Sequence, residues 1–156
     1  MPIHLSKESM KFESMIEMIK VAQYCINFNK KKDWGYDGCY GYPAVILLLA
    51  LVDAIGAHII GGGDDMKKHF QILNDPEWFD LKLSQEELEA LRKGLRSRLV
   101  HQSYMDSNLV LNKGDFHNET IETIDEKVIL NLVPFFEKTK YCVEKIVKTF
   151  KLKIII

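Results

Sequence analysis

The sequence predicts a mainly α-helical protein, an up-and-down helical bundle with a small antiparallel β-element before the C-terminal helix. Three observations lead to this prediction. Long stretches repeat apolar residues at helical spacing, a serine–glutamate capping box marks one helix start, and strand and turn signals gather between residues 108 and 133. The 156 residues, 47% hydrophobic and 28% charged, fit a single domain over residues 1–156 with a sizeable core.

The first predicted helix is amphipathic and covers Ser9–Phe28. Its apolar positions recur every three or four residues: Phe12, Met15, Ile16, Ile19, Ala22, Cys25 and Ile26. A turn-rich connector, Asn29–Gly41, follows. We expect its aromatic residues Trp34, Tyr36 and Tyr40 to pack beneath it, in preference to stacking on nucleic-acid bases.

The second predicted helix, Ala44–Ile60, is apolar nearly all round, which is typical of a helix surrounded by others in a core. The same stretch, taken from Tyr42, is the one candidate membrane span. It is marginal in length and contains Asp53 and His58, so a buried core helix is favoured. The triple glycine that begins at Gly61 lacks the context of a phosphate-binding loop and is interpreted as a helix end.

Charge and cysteine usage exclude several classes of protein. Lysine and arginine total 21 against 22 acidic residues, a formal net charge of -1, so any RNA contact has to come from a local basic patch. Cys25, Cys39 and Cys142 form no Cys-x-x-Cys pair, so neither a disulfide framework nor zinc is expected, and no cofactor is implied. With no signal-peptide pattern in Met1–Glu8, a soluble cytoplasmic protein is predicted.

The third long helix is predicted to begin at the capping box formed by Ser84 and Glu87 and to end near His101. Its buried stripe comprises Leu88, Leu91, Leu95 and Leu99. The C-terminal half carries four cations within Arg92–Arg98. The helix dipole favours cations near a C-terminus, so a solvated basic helix end explains several of them without any function.

The β-element is predicted from three short apolar runs. Leu109–Leu111 and Asp115–His117 are separated by Asn112–Gly114, which is a hairpin signal. Lys127–Leu132 is the third candidate strand. A closing helix is predicted for Pro134–Lys151, because proline suits the first turn of a helix.

Arg96 and His101 are the candidate catalytic pair. Guanidinium holds phosphate with two hydrogen bonds, and imidazole transfers protons near neutral pH, so the two together suit metal-independent cleavage of RNA. Five residues place the side chains about 140° apart on a regular helix. They converge only if the helix ends or distorts near Leu99, or if a second subunit completes the site. Arg98 and His101, three residues apart, do share a helix face.

The segment Arg-Ser-Arg-Leu-Val-His, which spans Arg96–His101, resembles the motif of HEPN domains, an arginine followed after four to six residues by histidine. The apolar stretch Pro43–Asp53 is similar to a helix of some HEPN members of the abortive-infection type. The likeness covers about Pro43–Val133. It implies one HEPN-like helical domain that forms a homodimer, with two motif helices side by side.

The resemblance also implies a function, a metal-independent endoribonuclease of a toxin or defence system, with RNA as substrate and an antitoxin or other protein as a possible partner. Carried over by position, Arg96 holds the scissile phosphate, His101 is the general acid or base, and Ser97 is the polar neighbour of the arginine. Asp53 would orient Arg96 or Arg98, or would form a purely structural ion pair. The remaining supporting candidates are Arg98, Gln102 and Tyr104, although the last two also suit an ordinary loop start.

The competing interpretation is a non-catalytic HEPN-like interaction or regulatory module that binds a protein, a nucleotide or RNA. Ser97 stands where active members usually carry asparagine or aspartate, and the net charge is close to zero. A helical domain whose motif is coincidental is the third alternative.

Overall fold

The computed structural model describes the backbone of residues 6–155 and the side chains of residues 6–149. The α-helices are α1 (Lys7–Asn27), α2 (Lys31–Trp34), α3 (Gly41–Ile59), α4 (Met66–His69), α5 (Gln85–Glu89), α6 (Arg98–Gln102) and α7 (Leu132–Ile155). A 3-10 helix, Phe70–Asn74, extends α4, and a π-helical segment, Ala90–Ser97, joins α5 to α6. The strands are β1 (Leu109–Asn112), β2 (Ile121–Ile124) and β3 (Lys127–Asn131). The prediction of a mainly helical protein with a small sheet before the C-terminal helix is confirmed.

Helix α3 lies at the centre of the bundle and contacts α1, α4, the π-helical segment and α7. Eight of its residues are buried: Ala44, Val45, Leu48, Leu49, Leu51, Val52, Ile55 and Gly56. By length and composition, α3 is also the one helix in the described part of the chain that could span a membrane. Because α3 packs against these neighbouring helices, it is the core helix that the sequence predicts.

Helix α1 begins at Ser6, whose hydroxyl accepts a hydrogen bond from the backbone N–H of Ser9 at 3.1 Å. The predicted apolar stripe faces α3 and α7. Its buried members are Phe12, Met15, Ile19, Ala22, Cys25 and Ile26. The periodicity of the sequence therefore identified both the helix and its buried face.

The third long helix starts as predicted. The Ser84 hydroxyl accepts from the Glu87 N–H at 3.1 Å, and the Glu87 carboxylate accepts from the Ser84 N–H at 3.0 Å, which completes the capping box. The predicted stripe is buried: Leu88, Leu91, Leu95 and Leu99. The unpredicted feature is the π-helical segment, where the backbone turn is wider than in an α-helix.

The sheet differs from the predicted antiparallel element. Its strand order is β1-β3-β2, with β1 parallel to β3 and β2 antiparallel to β3. The hairpin joins β2 to β3 through Asp125 and Glu126, whose φ angles of 50° and 65° suit a two-residue hairpin turn. Asp115–His117 forms a turn, so the hairpin predicted at Asn112–Gly114 is wrong.

Asn131, buried at the end of β3, explains why the chain does not fold back after β1. Its side-chain amide accepts a hydrogen bond from Asn112 at 2.8 Å and donates one to the carbonyl of Glu119 at 2.6 Å. These bonds hold the connection from β1 to β2 across the end of β3. Gly114 turns the chain, with a φ angle of 63°, but the segment that follows passes the end of β3 to reach β2 and does not return beside β1.

Burial distinguishes the three cysteines and predicts their reactivity. Burial raises the pKa of Cys142 from about 9 to about 12, which reduces its thiolate fraction at pH 8 about 1000-fold. Burial, and then the nearby Cys39, also raise the pKa of Cys25. We expect a maleimide reagent at pH 8 to label half-buried Cys39 first and Cys142 only after unfolding. Peptide mass spectrometry over a labelling time course tests this order, and early labelling of Cys142 in folded protein would contradict it.

Candidate functional site

Arg96 lies in the last turn of the π-helical segment and is partly buried. Its Nε is buried and has no hydrogen-bond acceptor. Within the described part of the chain, the Arg96 side chain makes no ion pair. Arg96 is therefore a cation without a carboxylate partner in the described part of the chain.

The neighbouring cations Arg92 and Lys93 share one carboxylate. An Arg92 N–H donates to both oxygens of Glu89, each at 2.8 Å, and Lys93 lies 3.3 Å from the same carboxylate. These two cations, beginning with the Arg92 hydrogen bond, lower the pKa of Glu89. Both side chains therefore have a counter-charge on their own helix.

Arg98 is the centre of a second local cluster. Its Nε forms an ion pair with Asp106, and one terminal nitrogen donates to Gln102 at 3.2 Å and to the Tyr104 hydroxyl at 3.1 Å. Three of the predicted supporting residues therefore do meet, but they surround Arg98 instead of Arg96. Sequence reasoning missed Asp106, which neutralises Arg98.

Gly94 makes the contact with Asp106 possible. The Asp106 N–H donates to the carbonyl of Gly94 at 3.1 Å, and a Cβ atom at Gly94 would lie 2.7 Å from the Asp106 carboxylate and 2.8 Å from Leu109. The loop before β1 therefore rests directly on the helix backbone. A glycine inside a helical pattern was the available signal, since such residues often mark a close approach.

His101 is exposed in α6, and no other described residue bonds its ring. The π-helical segment ends at Ser97 and α6 continues as regular helix to Gln102, and no hydrogen bond joins Arg96 to His101 in the described part of the chain. Val100, beside the histidine, is 46% exposed. The spacing on a regular helix therefore still predicts that one chain alone does not bring the two groups together.

Ser97 serves the helix backbone. Its hydroxyl donates to the carbonyl of Arg92, five residues earlier, at 3.0 Å. The bond satisfies a carbonyl within the widened turn of the π-helical segment. The Ser97 hydroxyl is therefore bonded to the helix backbone, although the sequence predicted that it would support Arg96.

Asp53 does not pair with Arg96 or Arg98, the two partners that the sequence suggested. Its carboxylate accepts a hydrogen bond from Nδ1 of His69 at 2.7 Å, which links α3 to α4. A half-buried carboxylate pairs with the nearest donor that the packing offers, and here α4 crosses α3 at Gly56, close to Asp53. The structural alternative for Asp53 is the one that the geometry supports.

No group of three histidine, cysteine or acidic side chains converges to hold a metal ion within the described residues. A groove of about 580 Å³ lies elsewhere, between the start of α5 and the β2–β3 hairpin, and carries Glu86, Glu87 and Glu126. Its acidic lining does not suit a phosphate.

No family model, curated protein or solved structure matches this chain.

Proposed function

We propose that the end of the third long helix binds an RNA phosphate through Arg96, and that a homodimer uses His101 beside it to cleave the RNA without a metal. One observation carries the proposal. Of the four cations within Arg92–Arg98, only Arg96 has no counter-charge among the described residues, whereas the other three are paired with Glu89 or Asp106.

The chemistry of Arg96 favours an anionic ligand. The Arg96 guanidinium has no carboxylate partner among the described residues, and a phosphate would form charge-assisted hydrogen bonds with it. Because Nε itself is buried, this contact would form at the terminal nitrogens of the half-buried side chain. Arg98 is neutralised by Asp106, whereas Arg92 and Lys93 share the one carboxylate of Glu89 and together keep one positive charge. Arg96 is therefore the cation of this cluster that has no carboxylate partner among the described residues. The proposal therefore needs a single, oriented phosphate contact and no broad basic surface.

The chemistry of His101 favours proton transfer. Its exposed ring is available as base for the ribose 2'-hydroxyl or as acid for the leaving 5'-oxygen. Exposed Val100 and Tyr104 lie beside it and suit the contact of two copies. Two such helices side by side would place the partner's His101 near Arg96, the arrangement implied by the resemblance to HEPN domains.

The alternative is a HEPN-like binding module that does not cut RNA, and a specific observation favours it. Ser97 is engaged with the Arg92 carbonyl, and Arg98 is neutralised, so two of the side chains expected to assist Arg96 are occupied. Such a module would use Arg96 to hold a nucleotide, an RNA or an acidic segment of a partner protein.

Cleavage of a mixed RNA pool in EDTA tests the proposal. We expect wild-type protein to leave 2',3'-cyclic phosphate ends, and the folded variants Arg96→Ala and His101→Ala to leave none. Lys148→Ala and His117→Ala are matched controls, because they remove an exposed lysine on α7 and an exposed histidine, both outside the basic cluster within Arg92–Arg98. A pure wild-type dimer that cuts nothing, or site variants that cut like the controls, would reject the enzyme and favour the binding module.

Mixing the two inactive variants tests the composite site. If Arg96 and His101 act across a two-fold dimer, a heterodimer of Arg96→Ala and His101→Ala has one intact site, so about one quarter of wild-type activity should return. Subunit exchange is verified by mass spectrometry of the intact dimer. Exchange without any recovery would show that the two residues do not act across the interface.

A further inference from the structure

The connector between α1 and α3, together with Tyr42 at the start of α3 and Lys113 after β1, carries a surface of rings and cations. We call it the aromatic–lysine surface: Lys30, Trp34, Tyr36, Tyr42 and Lys113. We propose that this surface binds single-stranded RNA. The inference rests on the proposed function only in its choice of RNA as partner.

The rings of this surface are exposed, so the expectation that Trp34 and Tyr36 pack beneath the connector is wrong. Trp34 is 58% exposed, Tyr36 56% and Tyr42 54%. Tyr40 alone follows the expectation, because it is half-buried and stacks on Phe28 at 4.9 Å between ring centroids. Exposed aromatic rings beside cations are the stacking platform that single-stranded nucleic acids use.

Lys30 organises the surface. Its ammonium lies 5.9 Å from the ring centre of Trp34 and 5.2 Å from that of Tyr36, within the range of cation–π contacts. Its stem crosses Gly38, where a Cβ atom would lie 3.0 Å from the lysine Cε. The backbone N–H of Lys30 donates to the carbonyl of Gly38 at 2.9 Å. Both rings therefore lie within cation–π distance of one positioned ammonium group.

A cavity of about 230 Å³ continues the surface towards the sheet. Lys30, Tyr42 and Lys113 line it, with an apolar floor that includes Leu111 and Leu132. No carboxylate lines the cavity, and neither lysine forms an ion pair within the described part of the chain. Two ammonium groups over an apolar floor suit a phosphate and the base or sugar attached to it.

Strand β1 connects this surface with the proposed cleavage site. Asp106, the partner of Arg98, precedes β1, and Lys113 follows it directly. Four residues of strand rise about 13 Å, so the two regions lie at opposite ends of one short strand. A single RNA chain can contact both, which gives the aromatic–lysine surface the role of holding RNA beside the helix end.

Cations beside the rings favour RNA over a protein partner. The apolar centre of a protein interface is depleted of lysine, whereas a nucleic acid supplies both stacking bases and phosphates. Lys31 and Lys32 lie in the same short helix as Trp34, and with Lys30 and Lys113 they outnumber the nearby carboxylates of Asp33 and Asp37. RNA binding at this surface should therefore weaken steeply as salt concentration rises.

The test is fluorescence anisotropy of a labelled oligouridine in EDTA, using the full chain with His101→Ala so that the RNA stays intact. Added to this background, Trp34→Ala should raise Kd about tenfold, because one stacked base is lost. Lys30→Ala with Lys113→Ala should raise Kd and flatten its dependence on salt. Tyr141→Ala is the matched control, since this ring on α7 is 59% exposed and should leave Kd unchanged.

A second measurement places the RNA on the ring itself. The chain has two tryptophans, so Trp78→Phe leaves Trp34 as the single fluorophore, and oligouridine should quench it. The inference is overturned if oligouridine does not bind, if it does not quench Trp34, or if Tyr141→Ala weakens binding as much as Trp34→Ala. Trp34-dependent binding by a wild-type protein that cuts no RNA would reject the proposed enzyme and leave this inference standing. Unchanged oligouridine binding when Trp34→Ala is added to His101→Ala, together with RNA cleavage by the wild-type protein, would reject this inference alone.

Discussion

Replacing Gly56 by alanine is expected to lower the free energy of unfolding by about 3 kcal/mol, because the new methyl group has no space. A Cβ atom there would lie 2.2 Å from the carbonyl oxygen of His69 and 2.6 Å from its carbonyl carbon and Cα. All three are backbone atoms, so rotation of a side chain cannot relieve the contact. Helices α3 and α4 would have to separate, which exposes part of the core around Phe70 and Ile72. Urea denaturation followed by circular dichroism measures the loss.

The direction of the change in unfolding free energy distinguishes a steric clash from helix propensity. Alanine in place of glycine normally stabilises a helix interior by about 1 kcal/mol, so helix propensity alone predicts the opposite result. Ala57→Gly is the matched control, and we expect it to lose only about 1 kcal/mol through propensity. A Gly56→Ala protein as stable as wild type would show that α4 does not cross α3 at this position.

The helices could be predicted because their signals are local. The apolar stripe of α1 and the capping box formed by Ser84 and Glu87 each act within a few residues, and both appear in the structure as expected. The continuous apolar character of α3 likewise predicted its central place. In these elements, tertiary packing reinforces what the local sequence prefers.

The strand order could not be predicted, because it depends on one buried side chain far from the turn it controls. The turn at Asn112–Gly114 was identified, but its direction is set by Asn131, nineteen residues after Asn112. Hydrogen bonds of the Asn131 side chain with Asn112 and with the Glu119 carbonyl attach the segment between β1 and β2 to the end of β3. Pairing across such a distance leaves no periodic signal in the sequence.

The candidate site shows the same division between local and distant contacts. The basic cluster within Arg92–Arg98 could be found by inspection, whereas its neutralisation by Asp106 depends on a loop that packs on Gly94. The partner of Asp53 also comes from a separate helix. Sequence therefore located the charges, and the fold determined which charge remains available, namely that of Arg96.

Removing the carboxylate of Asp53 is expected to lower the free energy of unfolding by about 2 to 3 kcal/mol. The His69 side chain is only 5% exposed, and its Nε2 is already buried without a partner. In Asp53→Ala, Nδ1 would lose its acceptor as well, so both ring nitrogens would be buried and unbonded. Chemical denaturation of the variant measures the cost, and its RNA binding should not change, because Asp53 contacts neither Arg96 nor Arg98.

A double-mutant cycle separates the pair from the packing around it. His69→Phe replaces the imidazole by a slightly larger apolar ring and leaves Asp53, whose side chain is 28% exposed, able to reach water. This variant should therefore lose less than Asp53→Ala, because it leaves no buried polar atom unbonded. In the double variant Asp53→Ala with His69→Phe, no unbonded ring nitrogen remains. The free energy of unfolding that the double variant loses should therefore be smaller, by about 1 kcal/mol or more, than the sum of the losses of the two single variants. Strict additivity would mean that the two side chains do not stabilise each other. The link between α3 and α4 would then rest on the close packing at Gly56 alone.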